Sequence, residues 1–481
     1  MKKNYFYNLL LSIANILFPI LSFPYASRIL GPVGIGKVQL VSSFAQYFAL
    51  IAAMGIPIYG IQAIARNRHD AKKLATVFSE LVSICFISSV LLSFVYLIII
   101  FQFPFFRSNI HLYCYGVILI LLGFSSIDWF YSGLEEFRVI ALRSVAIKVM
   151  SLFLLFLYVK NKDDYGMYLW LTIFSLLGNN IISMLMAGNR TGFIFKNLNL
   201  MQHIKPLMYI LSTSIATSMY IVMDTVILGF LSDETAVGLY TAAIKLTKIT
   251  VPFIISLGVV LIPKLTKFVS DNNMGEMQHL LDESFHFINF FSIPVVVGLM
   301  VLAPEFVVVF SGSGFASAST SMQILSLLPL LIGLGHFFTY QILLPAGKNR
   351  HIFLAVITGM LVGLLLNFIL IPSLKEKGAA IANVSCELVI MALSFYFVKK
   401  QYAFKYKWDL LFKAIACSLP FLPIVLLIRL SEMNAIPILL TSFILCTSTY
   451  FCAQYFLFKD LFIFKMLDLI YIKLDLKKLT D

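Results

Sequence analysis

Charged side chains inside long apolar segments are the residues of this chain best suited to chemistry. Where such segments span a membrane, ionisable groups are costly, and they usually face a protein interior or a water-filled cavity. The four basic residues are candidates for substrate binding and the two acidic ones for counter-charge or ion coupling: Arg28, Lys148, Lys245, Lys248, Asp224 and Glu387. Lys245 and Lys248 are three residues apart and so share one helix face. The excess of cations favours a cavity for an anionic ligand such as a phosphate, which needs several donors outside water.

A structural role is the alternative for the same charges. A Lys–Asp or Lys–Glu pair can simply lock two helices together. His336 is isolated in its segment, and a hydrogen-bonded packing role is favoured over a proton relay. Asn4, Asn8 and Asn15 recur on one side of the first segment, where helix–helix hydrogen bonds explain them as well as a substrate contact does.

The sequence lacks the motifs of the common enzyme classes. No Gly-rich loop ends in Lys-Ser/Thr, no HExxH occurs, and no polar loop gathers an acid, a base and a nucleophile. The 6 cysteines all lie in apolar segments and form no CxxC pair, so we expect small buried hydrophobic residues rather than ligands. We therefore expect no catalytic residue, no metal site and no cofactor, and coupling to protons or sodium stays open.

The elements that position these residues follow from composition. The 481 residues are 60% hydrophobic and only 12% charged, whereas soluble domains average roughly 25% charged residues. A bilayer core about 30 Å thick takes ~20 apolar residues as a helix, and such runs recur along nearly the whole chain. The composition predicts an all-α integral membrane protein.

Polar, glycine and proline residues divide the apolar runs into about fourteen segments of bilayer-spanning length. They lie near 9–29, 38–62, 75–101, 111–132, 139–159, 165–188, 206–230, 236–262, 286–309, 319–344, 351–371, 377–398, 410–430 and 435–458. Prolines inside them, among them Pro57 and Pro252, each free a backbone carbonyl and bend the helix.

Lysine and arginine are unevenly distributed between alternate gaps. With the N-terminus inside, about 25 of them fall on the cytoplasmic side and about eight on the other, which predicts an even number of spans and two cytoplasmic termini. We attribute the net charge of +13 to orientation rather than to nucleic-acid binding, because no compact basic domain with interleaved aromatic residues occurs. The tail 459–481 alternates leucine, isoleucine and lysine and is predicted to lie on the inner leaflet.

An internal repeat divides the chain. Three motifs recur six segments apart. The first is Arg28–Gly31, followed by Gly34 and Gly36, which matches Val226–Gly229, followed by Gly238. The other two are Met54–Pro57 with Leu257–Pro263, and Tyr131–Leu134 with Pro345–Lys348. Because six is even, the copies share one topology, which is typical of a parallel repeat about an axis along the membrane normal. We predict an N-lobe (1–200, segments 1–6), a C-lobe (201–400, segments 7–12), two further helices (401–458) and a cytoplasmic amphipathic tail (459–481).

Several motifs resemble those of a known family. They are Phe18-Pro19, Pro24-Tyr25, Arg28-Ile29-Leu30-Gly31-Pro32, Gly34-Ile35-Gly36, Gly55-Ile56-Pro57, Tyr59-Gly60-Ile61, Asp128-Trp129-Phe130-Tyr131-Ser132-Gly133-Leu134-Glu135 and Gly378-Ala379-Ala380-Ile381-Ala382. In these residues the chain resembles Wzx-type polysaccharide flippases of the multidrug/oligosaccharidyl-lipid/polysaccharide (MOP) exporter superfamily. The resemblance covers essentially the whole chain and is strongest over the first 150 residues.

The resemblance implies fourteen helices, two six-helix lobes and transfer of an undecaprenyl-pyrophosphate-linked oligosaccharide from the inner to the outer leaflet of the bacterial cytoplasmic membrane. The four cations would offset the headgroup charge in a cavity between the lobes, which then rock to open outward. The last two helices would guide the lipid tail. A polysaccharide polymerase and a chain-length regulator are the expected protein partners, in O-antigen, capsule or exopolysaccharide assembly.

Three other functions are weighed against this one. A drug or cation antiporter of the same superfamily should carry acidic groups in its cavity, whereas the candidates here are mostly basic. A lipid II flippase is a closer competitor that the motifs favour less. A membrane polysaccharide polymerase or ligase usually has a large outer loop with catalytic residues, and the outer gaps here are only about ten residues long.

Overall fold

The structure is a computed structural model that describes residues 2–194, 196, 198–402, 406–460 and 463. The side chains of 2–6, 8, 9, 189, 209 and 212–221 are outside the description. Asn4 and Asn8 therefore lie outside the described side chains. The predicted tail 459–481 lies outside the described residues except for 459, 460 and 463.

The described part of the chain is helical and contains no strand. Its α-helices are α1 (Lys2–Ala52), α2 (Ile56–Asn67), α3 (Ala71–Gln102), α4 (Ile110–Leu121), α5 (Asp128–Gly133), α6 (Phe137–Tyr158), α7 (Tyr165–Thr191), α8 (Met201–Leu231), α9 (Glu234–Lys248), α10 (Val251–Ser270), α11 (Met274–Val301), α12 (Ala303–Ser311), α13 (Ala318–Leu325), α14 (Leu328–His336), α15 (Asn349–Gln401), α16 (Trp408–Ser418), α17 (Phe421–Arg429) and α18 (Ala435–Phe456). Within the described residues, 11 helical stretches are long and apolar enough to cross a membrane. The predicted all-α membrane protein is confirmed, and the count of fourteen spans stays a prediction.

Some of these helices contain two spans or only part of one. In α1, Gly31 has φ 66, a left-handed conformation that favours glycine, and it joins the first two predicted segments. Lys375 has φ 47 and joins the two predicted segments that make up α15 in the same way. Conversely, the predicted segments 38–62 and 236–262 are each divided between two helices, as described below.

The chain forms two compact units. Unit 1 comprises Met1–Thr241 and Leu366–Ala379, and unit 2 comprises Ala242–Leu365 and Ala380–Asp481. The predicted division into lobes after residue 200 stays a prediction.

In unit 1, two motifs of the internal repeat contact each other through glycines. A Cβ atom on Gly36 in α1 would lie 1.7 Å from the carbonyl oxygen of Glu234 in α9. A Cβ atom on Gly238 would lie 2.0 Å from the carbonyl oxygen of Pro32. The backbones of α1 and α9 are therefore in direct contact, and neither position has room for a side chain. Close packing explains these two glycines without a ligand.

Other motifs that carry the family resemblance also contact each other in unit 1. Gly60 in α2 packs on the Trp129 ring, because a Cβ atom there would lie 2.4 Å from Trp129 Cε3. Gly133 at the end of α5 packs in the same way on Ile64, at 2.8 Å. Trp129 and Ile64 belong to a core cluster that α2, α3 and α5 share. These motifs therefore fix the packing of α2 against α5.

The second predicted segment is broken in unit 1. Helix α1 ends at Ala52, Met54 and Gly55 have φ of 48 and 76, and α2 begins with Pro57 in its first turn. The Ala52 carbonyl that the break leaves free accepts a hydrogen bond from Ser88 Oγ at 2.5 Å. A side chain of a neighbouring helix thus replaces the lost helical donor, as a break within a bilayer requires.

The segment Leu366–Ala379 is held in unit 1 by two polar contacts. Asn367 donates to Asp224, and the Lys375 ammonium donates to Asp233 at 2.9 Å. Asp233 lies in the short connection between α8 and α9, and the Lys375 hydrogen bond holds the pKa of its carboxyl below the ordinary range. Gly378 follows the Lys375 kink and packs on the preceding turn, because a Cβ atom there would lie 2.6 Å from the Leu370 carbonyl oxygen.

Unit 2 has its own core and its own irregular segments. Residues of α10, α11, α14 and the end of α15 form one cluster around Phe285, Phe337 and Phe338. A second cluster joins α11 to α17 and α18 around Phe290 and Tyr450. Phe337–Leu343 forms a π-helical turn at the end of α14.

The close contact of the two repeat motifs predicts a sharp difference between two Gly→Ala variants. Gly238→Ala places a methyl group against the Pro32 carbonyl, and such overpacking costs about 1–3 kcal/mol or more. We expect a lower unfolding midpoint and less folded protein.

The matched control is Gly298→Ala in α11, where a Cβ atom meets nothing within 4 Å. Alanine favours a helix over glycine by about 1 kcal/mol, so this midpoint should stay or rise. The measurement is thermal unfolding of the purified variants, and equal midpoints for both would contradict the contact.

Candidate functional site

Asp224 is the predicted site residue with the best-defined surroundings in unit 1. It lies on α8 and is only 4% exposed. Its Oδ1 accepts a hydrogen bond from Asn367 Nδ2 at 2.6 Å, and its Oδ2 accepts one from the Tyr240 hydroxyl at 3.0 Å. Both of these donors are neutral groups, and each fixes the direction of one carboxylate oxygen. A carboxylate can bind a proton or a cation.

Lys148 and Arg28, the two predicted cations of unit 1, differ in exposure. Lys148 on α6 is half-buried and donates to the Asn15 amide oxygen on α1. Asn15 therefore links α1 to α6. From the sequence alone, a helix–helix hydrogen bond and a substrate contact explain this asparagine equally well. Arg28 is exposed and lies one turn before the Gly31 kink.

Lys245 and Lys248 lie in unit 2, at a break rather than in the middle of a helix. Helix α9 ends at Lys248, and α10 begins at Val251 with Pro252 in its first turn. Pro252 has no N–H, so the helix cannot continue through it with normal hydrogen bonding. The sequence places both lysines inside one segment, 236–262, and the structure divides this segment into two helices directly after Lys248. Their charges stand at a helix C-terminus, where the helix dipole favours cations.

Glu387 is the predicted carboxylate of unit 2. It lies in the second half of α15 and is 7% exposed. Three of the six predicted residues thus lie in each unit, and a cavity shared by all six stays a prediction.

Sequence reasoning missed a buried polar network in unit 1. Glu80 in α3 is 1% exposed and His203 at the start of α8 is 5% exposed. Glu80 Oε2 accepts from His203 Nε2 at 2.9 Å and from Gln202 Nε2 at 3.0 Å, and Oε1 accepts from the Asn199 backbone N–H at 2.7 Å. The other ring nitrogen of His203 lies 2.8 Å from the Tyr59 hydroxyl. One carboxylate therefore holds the connection between α7 and α8 against α3.

Another ion pair of unit 1 joins Arg143 to Asp128. Arg143 on α6 donates to Asp128 Oδ1 at 2.5 Å and to Asn179 Oδ1 at 2.7 Å, and its guanidinium lies 5.6 Å from the centre of the Tyr131 ring. The Arg143 side chain is only 5% exposed, whereas that of Asp128 is 44% exposed.

An apolar cavity of about 330 Å³ lies within unit 2. Its wall is formed by α11, α12, α17 and α18, and the lining includes Phe291, Pro294, Phe421, Phe443 and Phe451. A cavity with this lining suits an aliphatic chain rather than a sugar or a phosphate.

Metal-ligating side chains are dispersed over the described part of the chain. There, no group of three or more His, Cys, Asp or Glu residues is placed to hold a metal ion. The 6 cysteines, all within the described part of the chain, form no disulfide, and Cys85 approaches the Ala52 carbonyl at 3.8 Å in the break between α1 and α2.

Comparison with known proteins adds sequence and fold relatives. The family described as "Polysaccharide biosynthesis protein" matches residues 1–269. A Shigella dysenteriae protein named "Putative O-antigen transporter" is 25% identical over 411 residues, which cover 83% of this chain and 100% of that protein.

Two solved structures share the fold. An inward-closed structure of the lipid II flippase MurJ has a TM-score of 0.65 at 17% identity. The match covers 94% of this chain and 100% of the MurJ chain. An inward-facing multidrug resistance MATE family transporter of the MOP superfamily has a TM-score of 0.64 at 16% identity and covers 82% of this chain and 98% of its own. At these identities the likeness shows the fold alone, and the predicted MOP fold is confirmed.

The Glu80 network predicts that the connection between α7 and α8 opens when its acceptor is removed. In Glu80→Leu, the buried His203 ring loses its acceptor, at about 1–3 kcal/mol, and the exposed residues Asn199 and Gln202 lose theirs as well. Local opening exposes backbone to proteases, so trypsin should cut after Lys196, in this connection, at least about tenfold faster.

The control is Glu276→Leu, an exposed carboxylate in the first turn of α11. The fragment that ends at Lys196 is quantified by mass spectrometry of the purified full-length protein. Unchanged cleavage in Glu80→Leu would show that the carboxylate does not hold the connection.

Proposed function

Because this chain belongs to the polysaccharide biosynthesis protein family, we propose that it is a flippase for undecaprenyl-pyrophosphate-linked oligosaccharides. It moves these repeat units across the bacterial cytoplasmic membrane during the assembly of O-antigen, capsule or exopolysaccharide. The observation that carries the proposal is the alignment over the full length of a relative named for O-antigen transport. The chain acts as a transporter, and its own residues perform no catalytic step.

The pyrophosphate is the part of the substrate that needs charge compensation. Arg28, Lys148, Lys245 and Lys248 supply it in this proposal. Lys245 and Lys248 are suited to the task because the chain is broken directly after them. Discontinuous helices near membrane depth supply free backbone groups beside charged substrates in many transporters.

The lipid tail needs an apolar path beside the headgroup site. The apolar cavity of unit 2 is lined by α17 and α18, the helices predicted to guide the tail. Phenylalanine side chains make up much of its wall, so an isoprenoid chain can pack there without burying a polar group.

Asp224 and Glu387 are the proposed coupling groups. Both are buried carboxylates in membrane segments. A charge is costly there, so binding of a proton or a sodium ion, which neutralises the carboxylate, changes the free energy of the protein strongly. The membrane potential can also bias the movement of a charged species. In this proposal, binding of an ion at Asp224 replaces or reinforces the hydrogen bonds from Tyr240 and Asn367.

Orientation and partners complete the proposal. The excess of lysine and arginine in alternate connections supports two cytoplasmic termini. The substrate is made on the cytoplasmic face, and rocking of the two halves delivers it to the outer leaflet. A polysaccharide polymerase and a chain-length regulator are the proteins that would receive it there.

The experiment that tests the function is deletion of the gene followed by analysis of lipid-linked intermediates. A flippase predicts that complete repeat units accumulate in the inner leaflet and that surface polysaccharide is lost. Single repeat units accumulating in the outer leaflet would instead indicate a polymerase and contradict the proposal.

The headgroup role of the two lysines predicts a loss of export in Lys245→Gln/Lys248→Gln. Hydrogen bonds to charged groups contribute about 1.5–3 kcal/mol each, so we expect surface polysaccharide to fall at least about tenfold.

The matched control is Lys264→Gln/Lys267→Gln, because these two lysines have the same spacing on α10 and are exposed. Surface polysaccharide is measured at equal amounts of membrane-inserted protein. Undiminished export in the first variant would remove Lys245 and Lys248 from the mechanism.

The coupling role predicts that Asp224→Asn transports without response to an ion gradient. Asparagine keeps the size of the side chain but removes the charge that attracts a proton or sodium ion. Transport of the glycolipid in proteoliposomes is compared with and without a proton or sodium gradient.

Asp233→Asn serves as the control, since this aspartate lies in a connection and its side chain is 43% exposed. The control should keep the response of the unmodified protein. A full response in Asp224→Asn would exclude Asp224 as the coupling group.

A further inference from the structure

The π-helical turn of unit 2 contains polar groups that the proposed function does not use. In this turn, Phe337–Leu343, the Leu344 N–H donates to the Thr339 carbonyl at 2.9 Å, five residues back instead of four. Such turns are rare and often occur at functional sites, because the extra residue redirects side chains.

Gln341 is the residue that the turn places most unusually. It is 0% exposed, and neither its amide oxygen nor its amide nitrogen has a hydrogen-bond partner among the described residues. The neighbouring Thr339 differs, because its hydroxyl donates to Ser394 Oγ at 3.1 Å. A buried amide without a partner costs about 1–3 kcal/mol for each unsatisfied group, so Gln341 needs an explanation.

A second polar atom without a partner lies beside it. His336 Nδ1 is buried and has no hydrogen bond within the described residues. A Cβ atom on Gly258 in α10 would lie 2.2 Å from Gln341 Nε2 and 3.2 Å from His336 Cε1. Both side chains therefore pack against Gly258, the one glycine of α10. The Tyr340 ring stacks on His336 with 5.0 Å between ring centres, and Tyr340 is 39% exposed.

We call Gly258, His336, Tyr340 and Gln341 the Gln341 pocket. The polar groups of these residues indicate which class of ligand can bind there. The amide offers two donors and an acceptor, and a neutral imidazole offers one of each. None of the four residues carries a carboxylate or an ammonium group. Glu387, the buried carboxylate of α15, makes no hydrogen bond to the Gln341 amide. A ligand that both donates and accepts, without charge, satisfies this set.

We propose that the Gln341 pocket binds a neutral hydroxyl group through the Gln341 amide and His336 Nδ1. Two sources share this chemistry. One is an ordered water molecule, which requires two to four polar partners in a buried site. The other is a sugar hydroxyl of the transported glycolipid, which approaches past the partly exposed Tyr340 ring. The sugar source rests on the proposed function, and the water source does not.

The first test measures stability without any glycolipid. Full-length protein in nanodiscs is compared with Gln341→Leu by thermal unfolding, and Gln323→Leu in α13 is the control outside the pocket. If water fills the pocket, Gln341→Leu loses hydrogen bonds and its midpoint falls by at least ~1 °C relative to the control. If the midpoint stays or rises, water is excluded as the ligand, because an apolar side chain relieves an unsatisfied amide.

The second test decides whether a sugar fills the pocket. Binding of undecaprenyl pyrophosphate is measured with and without one N-acetylglucosamine attached. If the sugar hydroxyl is the ligand, Gln341→Leu binds the bare pyrophosphate with the affinity of the unmodified protein. The increase in affinity that the attached sugar gives should be about tenfold smaller in the variant than in the unmodified protein. An unchanged midpoint or a raised one, together with an unchanged preference for the sugar, overturns the proposal.

Two further measurements keep the outcomes separate. If Gln341→Leu does not fold, Gln341→Met, with an unbranched side chain, replaces it under the same criteria. If the unmodified protein binds neither form of undecaprenyl pyrophosphate, the proposed function fails. The stability comparison in nanodiscs still decides the water source in that case.

Discussion

The cost of an unsatisfied polar group in hydrocarbon is the constraint on which the rest of this structure depends. Each unpaired backbone or side-chain group there costs several kcal/mol, so a break in a membrane helix needs partners from its neighbours. The break between α1 and α2 finds one in Ser88, which donates to the Ala52 carbonyl. Glu80 accepts hydrogen bonds from Asn199 in the connection between α7 and α8 and from Gln202 and His203 at the start of α8. At these two places, polar side chains of neighbouring helices hold irregular parts of the chain.

These irregular positions correspond between the halves of the chain. Met54-Gly55-Ile56-Pro57 and Ile249-Thr250-Val251-Pro252 each consist of a short break followed by an apolar residue and a proline near the start of the next helix. Leu122–Ser125, a 3₁₀ turn before Gly133, and the π-helical turn before Gly347 occupy matching places in their segments. Interrupted helices at equivalent positions of two repeats are the usual location of substrate and ion sites in transporters. Lys248 directly precedes one of these breaks, and Gln341 lies in another.

Composition is sufficient to predict the class of fold, because so few charged residues cannot cover a soluble surface. The segment boundaries are less predictable. From the sequence alone, Pro252 is interpreted as a bend inside 236–262 and the repeat is aligned with Pro263 instead, so the end of α9 at Lys248 is missed. Glu80 is recognisable as an acidic residue inside an apolar segment. Its partner His203 is 123 positions away, and only the packing of α3 against the start of α8 brings the two together. The roles of the six charged residues stay predictions, because they depend on the substrate.

Direct observation of glycolipid transfer by the purified protein tests the central claim most directly. Proteoliposomes are loaded with an undecaprenyl-pyrophosphate-linked oligosaccharide confined to one leaflet, and a membrane-impermeant lectin added on the opposite side reports its arrival. The account predicts that lectin binding rises with time in vesicles that contain the protein and stays at background in protein-free vesicles. Equal lectin binding in the two preparations, with correctly folded protein present, would contradict the account.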